Sequence, residues 1–171
     1  RLLSRGLGDV YKRQLRSRTG DTLRKDMLFH GTVLENITMN RPQVSTSEVL
    51  ELANKITLTK ELRHMEKGFD TMLNPDSMSY GKAFIQKIIL ARAIVGNPKL
   101  LVLKDQFLKL DRSCRDAILE LIFNDMKDTT VIVASSNTEL INYADKVAVI
   151  KDSSLVTTGT PSEIVDYLKK D

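Results

Sequence analysis

The stretch Asn97-Pro98-Lys99-Leu100-Leu101-Val102-Leu103-Lys104-Asp105 decides the fold. Its four-residue apolar run follows Asn-Pro and is bracketed by lysines, the pattern of a strand buried inside a sheet. Val131-Ile132-Val133-Ala134, after Thr129-Thr130, reads as a second buried central strand. Between them, Asp111 can cap a helix over 112–126 that sets Ala117, Ile118, Leu121 and Ile122 on one face. Upstream, Ile85, Ile88, Ile89 and Ala93 recur at helical spacing over 85–95, and a helix over 47–54 opens on Ser47 as a candidate cap. Downstream, residues 146–150 and 155–157 flank Asp152-Ser153-Ser154 as two strands around a tight turn ending at Gly159. Pro161-Ser162-Glu163 then starts a last helix through Leu168. Apolar runs alternating with helical periods predict an α/β domain with a largely parallel sheet.

The 171 residues, 42% hydrophobic and 28% charged, suffice for one sizeable core. Polar residues interrupt every apolar stretch well short of the about 18 that a membrane-spanning helix needs. The single Cys114 excludes an intramolecular disulfide, and His30 and His64 leave no Cys/His set at metal-ligand spacing, so a reducing setting fits best. Asn36-Ile37-Thr38 matches a glycosylation sequon only by coincidence in such a setting. Most of the net charge of +4 sits in residues 1–14, where Arg1, Arg5, Lys12 and Arg13 oppose Asp9. The remainder is nearly neutral and poor in aromatics, which argues against nucleic acid as a partner.

Residues 1–14 carry no initiating Met, no helical or strand period and no signal-peptide layout. They resemble translated sequencing-adapter read-through and are expected to be non-native, leaving residues 15–171 as part of a longer protein.

Leu28-Phe29-His30-Gly31-Thr32-Val33-Leu34-Glu35-Asn36-Ile37 resembles the L-F-x-G-T-(V/I)-x-E-N-I segment that follows the Q-loop of ATP-binding cassette (ABC) exporters. Gly68-Phe69-Asp70-Thr71 is similar to the G-Y-D-T that precedes the ABC signature, and residues 86–94 to the Q-R-I-A-L-A-R-A-L helix behind it. Residues 97–103 resemble the N-P-K-I-L-I-L strand that carries Walker B. The likeness covers about residues 24–165 and implies a truncated P-loop-type ABC ATPase domain, with a helical subdomain at about 43–96.

In that family ATP and magnesium are held between two such domains, one offering a phosphate loop and the other a signature loop. Carried over residue by residue, the Q-loop Gln falls on Arg24. An ungapped register sets the signature L-S-G-G-Q on Tyr80-Gly81-Lys82-Ala83-Phe84; a two-residue shift would restore a serine at Ser79 but needs compensating gaps. The magnesium-holding Walker B Asp becomes Lys104, and the catalytic Glu becomes Asp105, one methylene shorter. Lys104 also admits a plainer role, paired with Asp105 at a strand end. The D-loop aligns with Leu108-Lys109-Leu110-Asp111, where Asp111 doubles as a helix cap, and the switch His becomes Ser136. The Walker A pattern G-x-x-x-x-G-K-(S/T) occurs nowhere in the chain.

The resemblance thus implies an exporter nucleotide-binding domain at the cytoplasmic face of the inner membrane, partnered by a transmembrane domain and a second ABC domain. Hydrolysis is expected to be impaired or absent, with neither ATP nor magnesium bound well. The alternative is a catalytically inactive interaction subunit of an ABC-type complex.

Overall fold

The computed structural model describes residues 11–12, 14–23, 28–75 and 80–169. The chain divides between Ala134 and Ser135 into two compact units. The first runs β1 (Thr19–Asp21), β2 (Gly31–Thr32), α1 (Val33–Thr38), α2 (Thr46–Lys55), α3 (Leu58–Leu62), β3 (Met72–Leu73), α4 (Lys82–Ile94), β4 (Leu100–Lys104), α5 (Arg112–Glu120) and β5 (Thr130–Ala134). The second holds β6 (Val147–Lys151), β7 (Ser154–Gly159) and α6 (Pro161–Leu168). The α/β class and the parallel sheet expected from the sequence are both present.

The Leu100 run is β4, the middle strand of a parallel sheet ordered β1-β4-β5, with Leu101 opposite Gly20 on one side and Val131 on the other. Only one of its faces is sealed: Leu101 and Leu103 are fully buried, whereas Leu100 and Val102 are half-buried. Sinking each leucine contributes about 1.5–3 kcal/mol. The second expected buried strand is a correction. β5 pairs with β4 but is exposed or half-exposed throughout, and Ile132 is 53% exposed. Among the described residues no further strand pairs with its other edge.

Helix α4 is buried on more than one face, through Phe84, Lys87, Ile88, Ile89, Leu90, Ala91, Ala93 and Ile94, because it packs against β1 as well as α1, α2 and α3. Its approach to β1 needs Gly20, where any Cβ would overlap the Ala93 carbonyl oxygen. The α2 cap is Ser45 rather than Ser47: Ser45 Oγ accepts from the Glu48 N–H (3.2 Å), and the Glu48 carboxylate accepts from the Ser45 N–H (2.8 Å). Of the two neighbouring serines, only Ser45 has a Glu three residues on, which closes the reciprocal box. Asp111 caps α5 as expected, and a π-helical turn over Leu121–Asp125 continues that helix.

In the second unit, β6 and β7 form the expected antiparallel hairpin. Asp152 and Ser153 both take positive φ (50° and 61°), the conformation that matches the twist of a two-residue turn. Thr160 and Glu163 form a capping box at the start of α6, whose Ile164 is buried. No helix of the described residues is long and apolar enough to cross a membrane.

Candidate functional site

Lys104 ends β4 and is exposed. Its N–H donates to Thr22 Oγ1 (3.0 Å) and its Nζ donates to the Leu23 carbonyl (3.3 Å), while the Thr22 N–H donates to the Val102 carbonyl (3.0 Å). The β1–β4 pairing therefore continues past Asp21 and draws the chain before residue 24 onto the end of the central strand. Arg24, the Q-loop position, lies outside the described residues.

Lys offers three donors and no lone pair, so the end of β4 presents positive charge where a cation site needs oxygens. Among the described residues no group of three or more His, Cys, Asp and Glu side chains could hold a metal ion. These residues do not fit magnesium. Beside Lys104, a cavity of about 20 Å³ lined by Thr22, Gln86, Gln106 and Phe107 has room for one water molecule. Asp105 follows, half-buried, as the first residue of a 3-10 turn that runs to Lys109.

Gly81 is the N-cap of α4 with extended backbone and no side-chain cap, and Lys82 and Ala83 form its exposed first turn. Phe84 is committed to the core at 5% exposure, with its ring centroid 5.9 Å from that of Tyr80. Ser79, which the shifted register would recruit, lies outside the described residues. Asp111 Oδ1 accepts from the Cys114 N–H (3.0 Å), and its Oδ2 lies 3.9 Å from Lys87 Nζ. Ser136 is exposed and belongs to the second unit. Asp111 is thus brought to α4, and Lys104 to the end of β1.

Two side-chain clusters escaped the sequence reading. Lys87, 3% exposed, places Nζ 2.7 Å from Glu61 Oε1 on α3 and 3.0 Å from Thr57 Oγ1. Its signal was in the sequence: Phe84, Lys87, Ile88 and Ala91 share one helical stripe, so this lysine had to be buried with partners. The neighbouring Cys114 donates its thiol to the Ile56 carbonyl (3.1 Å). Burial pushes that thiol's pKa up, an effect opposed by Thr57 and the positive charge of Lys87.

The second cluster holds the Phe29 loop. Asn36, fully buried, accepts from the Phe29 N–H (3.0 Å) and donates Nδ2 to the carbonyls of Phe29 (3.0 Å), Gly31 (3.4 Å) and Thr32 (3.0 Å). The side-chain amide of Asn36 is thus spent on the loop's own backbone. Arg92 of α4 donates Nε to the Asn36 carbonyl (2.7 Å) and Nη2 to Asn36 Oδ1 (3.2 Å), and its guanidinium carbon lies 5.8 Å from the Phe29 ring centroid. In the reverse direction, Arg41 Nη2 donates to the Arg92 carbonyl (2.9 Å). Burial lowers the pKa of both arginines, and Arg41 lowers that of Arg92 further.

The parallel sheet, the helices packed on it and the order of these landmarks are those of an α/β domain similar to the ATP-binding domain of ABC exporters. No family model matches the chain. Over 159 residues, 93% of the chain, it is 29% identical to YgaD of Bacillus subtilis, described as a multidrug export ATP-binding/permease protein. Over 157 residues it is likewise 29% identical to SAB1799c of Staphylococcus aureus, described in the same words. In each case it spans 27% of the relative's length. It shares its fold with a bacterial Atm1-family ABC exporter solved with ATP bound, at a TM-score of 0.78 and 22% identity, over 89% of this chain and 27% of that one. Over most of its length the chain is thus similar to a segment of ABC-type export proteins, and it shares the fold of one of them.

Proposed function

We propose that this chain is the coupling part of an exporter nucleotide-binding domain whose own nucleotide site has impaired or no hydrolysis. The observation that carries this is Lys104: the position expected to hold magnesium carries an ammonium already bonded to the Leu23 carbonyl. Asp105 stands at the catalytic-Glu position, Ser136 at the switch position, Gly81, Lys82 and Ala83 at the signature, Arg24 at the Q-loop and Asp111 at the D-loop. Phe84 supports the reading, because a core phenylalanine cannot supply the signature amide. The Phe29 loop and the helical subdomain at about 43–96 dock on the transmembrane domain at the cytoplasmic face of the membrane, and a second ABC domain completes the dimer.

In the family ATP is the ligand and magnesium its counter-ion. This chain is expected to bind neither well, so calorimetric titration with micromolar ATP should give the same flat trace with and without magnesium. A magnesium-dependent binding signal abolished by Lys104→Ala would overturn the reading.

A further inference from the structure

We propose that Arg92 and Asn36 are positioning residues that join the Phe29 loop to helix α4, so that a displacement of the loop reaches Gly81 at the far end of that helix. The role rests on the docking reading above, but the link itself is a property of this chain alone.

The bonds run both ways between two elements. Arg92, near the C-terminus of α4, donates to the carbonyl and side-chain oxygen of Asn36, and Arg41, just beyond α1, donates back to the carbonyl of Arg92. Arg41 also closes the last turn of α1 by donating to the Ile37 (3.3 Å) and Thr38 (2.8 Å) carbonyls. Asn36 is the hub, since the oxygen that accepts from Arg92 also accepts from the Phe29 N–H, while its amide nitrogen gathers three loop carbonyls. The loop therefore cannot shift without breaking charge-assisted bonds to α4 or taking α4 with it. Helix α4 is continuous from Lys82 to Ile94, and a helix held by packing along its length transmits displacement as a rod rather than absorbing it.

The test is amide exchange on the full chain, read at two sites. The Phe29 N–H reports the loop through Asn36 Oδ1, and the Ile85 N–H, bonded to the Gly81 carbonyl (3.2 Å), reports the far end of α4. Arg92→Met and Asn36→Ala should each speed exchange at Ile85 about tenfold, the scale of one lost charge-assisted bond. The double variant should go no further than the stronger single one, as a shared link requires. Glu35→Ala is the control: it opens the Thr32 capping box in the same loop without touching Arg92, and should leave Ile85 unmoved.

The link is refuted if Ile85 keeps its wild-type rate in Arg92→Met and Asn36→Ala, if the two effects multiply, or if Glu35→Ala moves Ile85 equally. Should Arg92→Met fail to fold, Arg92→Lys keeps the charge but loses the guanidinium fork. It should then accelerate both amides, and acceleration at Phe29 alone refutes the link. Because exchange needs neither ATP nor a membrane partner, failure here is distinct from failure of the docking reading.

Discussion

Replacing Lys87 by methionine probes the buried charge at the centre of the first unit. The substitution keeps most of the side-chain volume and removes the ammonium that lies 2.7 Å from Glu61, 3.0 Å from Thr57 and 3.9 Å from Asp111. Glu61 is then left with a buried carboxylate whose Oε2 already has no hydrogen-bond partner. Breaking a fully buried pair from one side costs about 3–5 kcal/mol. With 31% of its side chain exposed, Glu61 regains some water, so about 2–3 kcal/mol is the expected loss. In urea, with a slope of about 2 kcal/mol per molar, the midpoint should fall by about 1–1.5 M, followed by circular dichroism. Adding Glu61→Leu should recover the loss to within about 1 kcal/mol, since an apolar pair carries no desolvation cost. A midpoint shift below about 0.3 M for Lys87→Met, or a double variant as unstable as the sum of the singles, would show that the pair is incidental.

Gly20→Ala drives a methyl into the Ala93 carbonyl, a backbone atom that moves only with α4. The expected loss is about 3 kcal/mol or more, seen as a lower thermal midpoint, and a midpoint unchanged from wild type would contradict the helix–sheet spacing described. At the α6 cap, hydrogen bonds from the Thr160 backbone N–H and then its hydroxyl hold the Glu163 pKa below the usual glutamate value. The cap's contribution is therefore full above the ordinary glutamate range and is lost as pH falls through the depressed folded value; protection of the Thr160 amide, followed by NMR during acid titration, should fall in that window and be independent of pH in Glu163→Gln.

The strand at Leu100–Leu103 and its neighbour β5 were legible because apolar runs of this kind leave few other structures, whereas β1 at Thr19–Asp21, too short and too polar to show such a run, was not read as a strand. Burial of β5 was not legible, since Val131 to Ala134 has the composition of a covered strand whether or not a layer covers it. The α2 cap was misplaced by two residues because three hydroxyl side chains stand in a row, and only Glu48 at the reciprocal distance separates Ser45 from Ser47. The Asp111 cap was legible because an Asp just ahead of an apolar helical period has a local pattern of its own. Lys87 and Arg92 were missed for a different reason: both sit in a helix read for its apolar spacing, and their roles arise from Glu61, Asn36 and Arg41, at least 26 residues away in the chain. Periodicity marked the burial of Lys87, but it cannot name partners so far away in the chain.

The exposed fifth strand carries a consequence for the protein in solution. Thr130-Val131-Ile132-Val133-Ala134 is uncharged, β-branched at four of its five positions and free of proline and glycine. Neither a charged gatekeeper nor a bulge interrupts its pairing. Among the described residues this strand ends the sheet, and an uncovered, uncharged edge of that kind is a surface on which a further strand can pair.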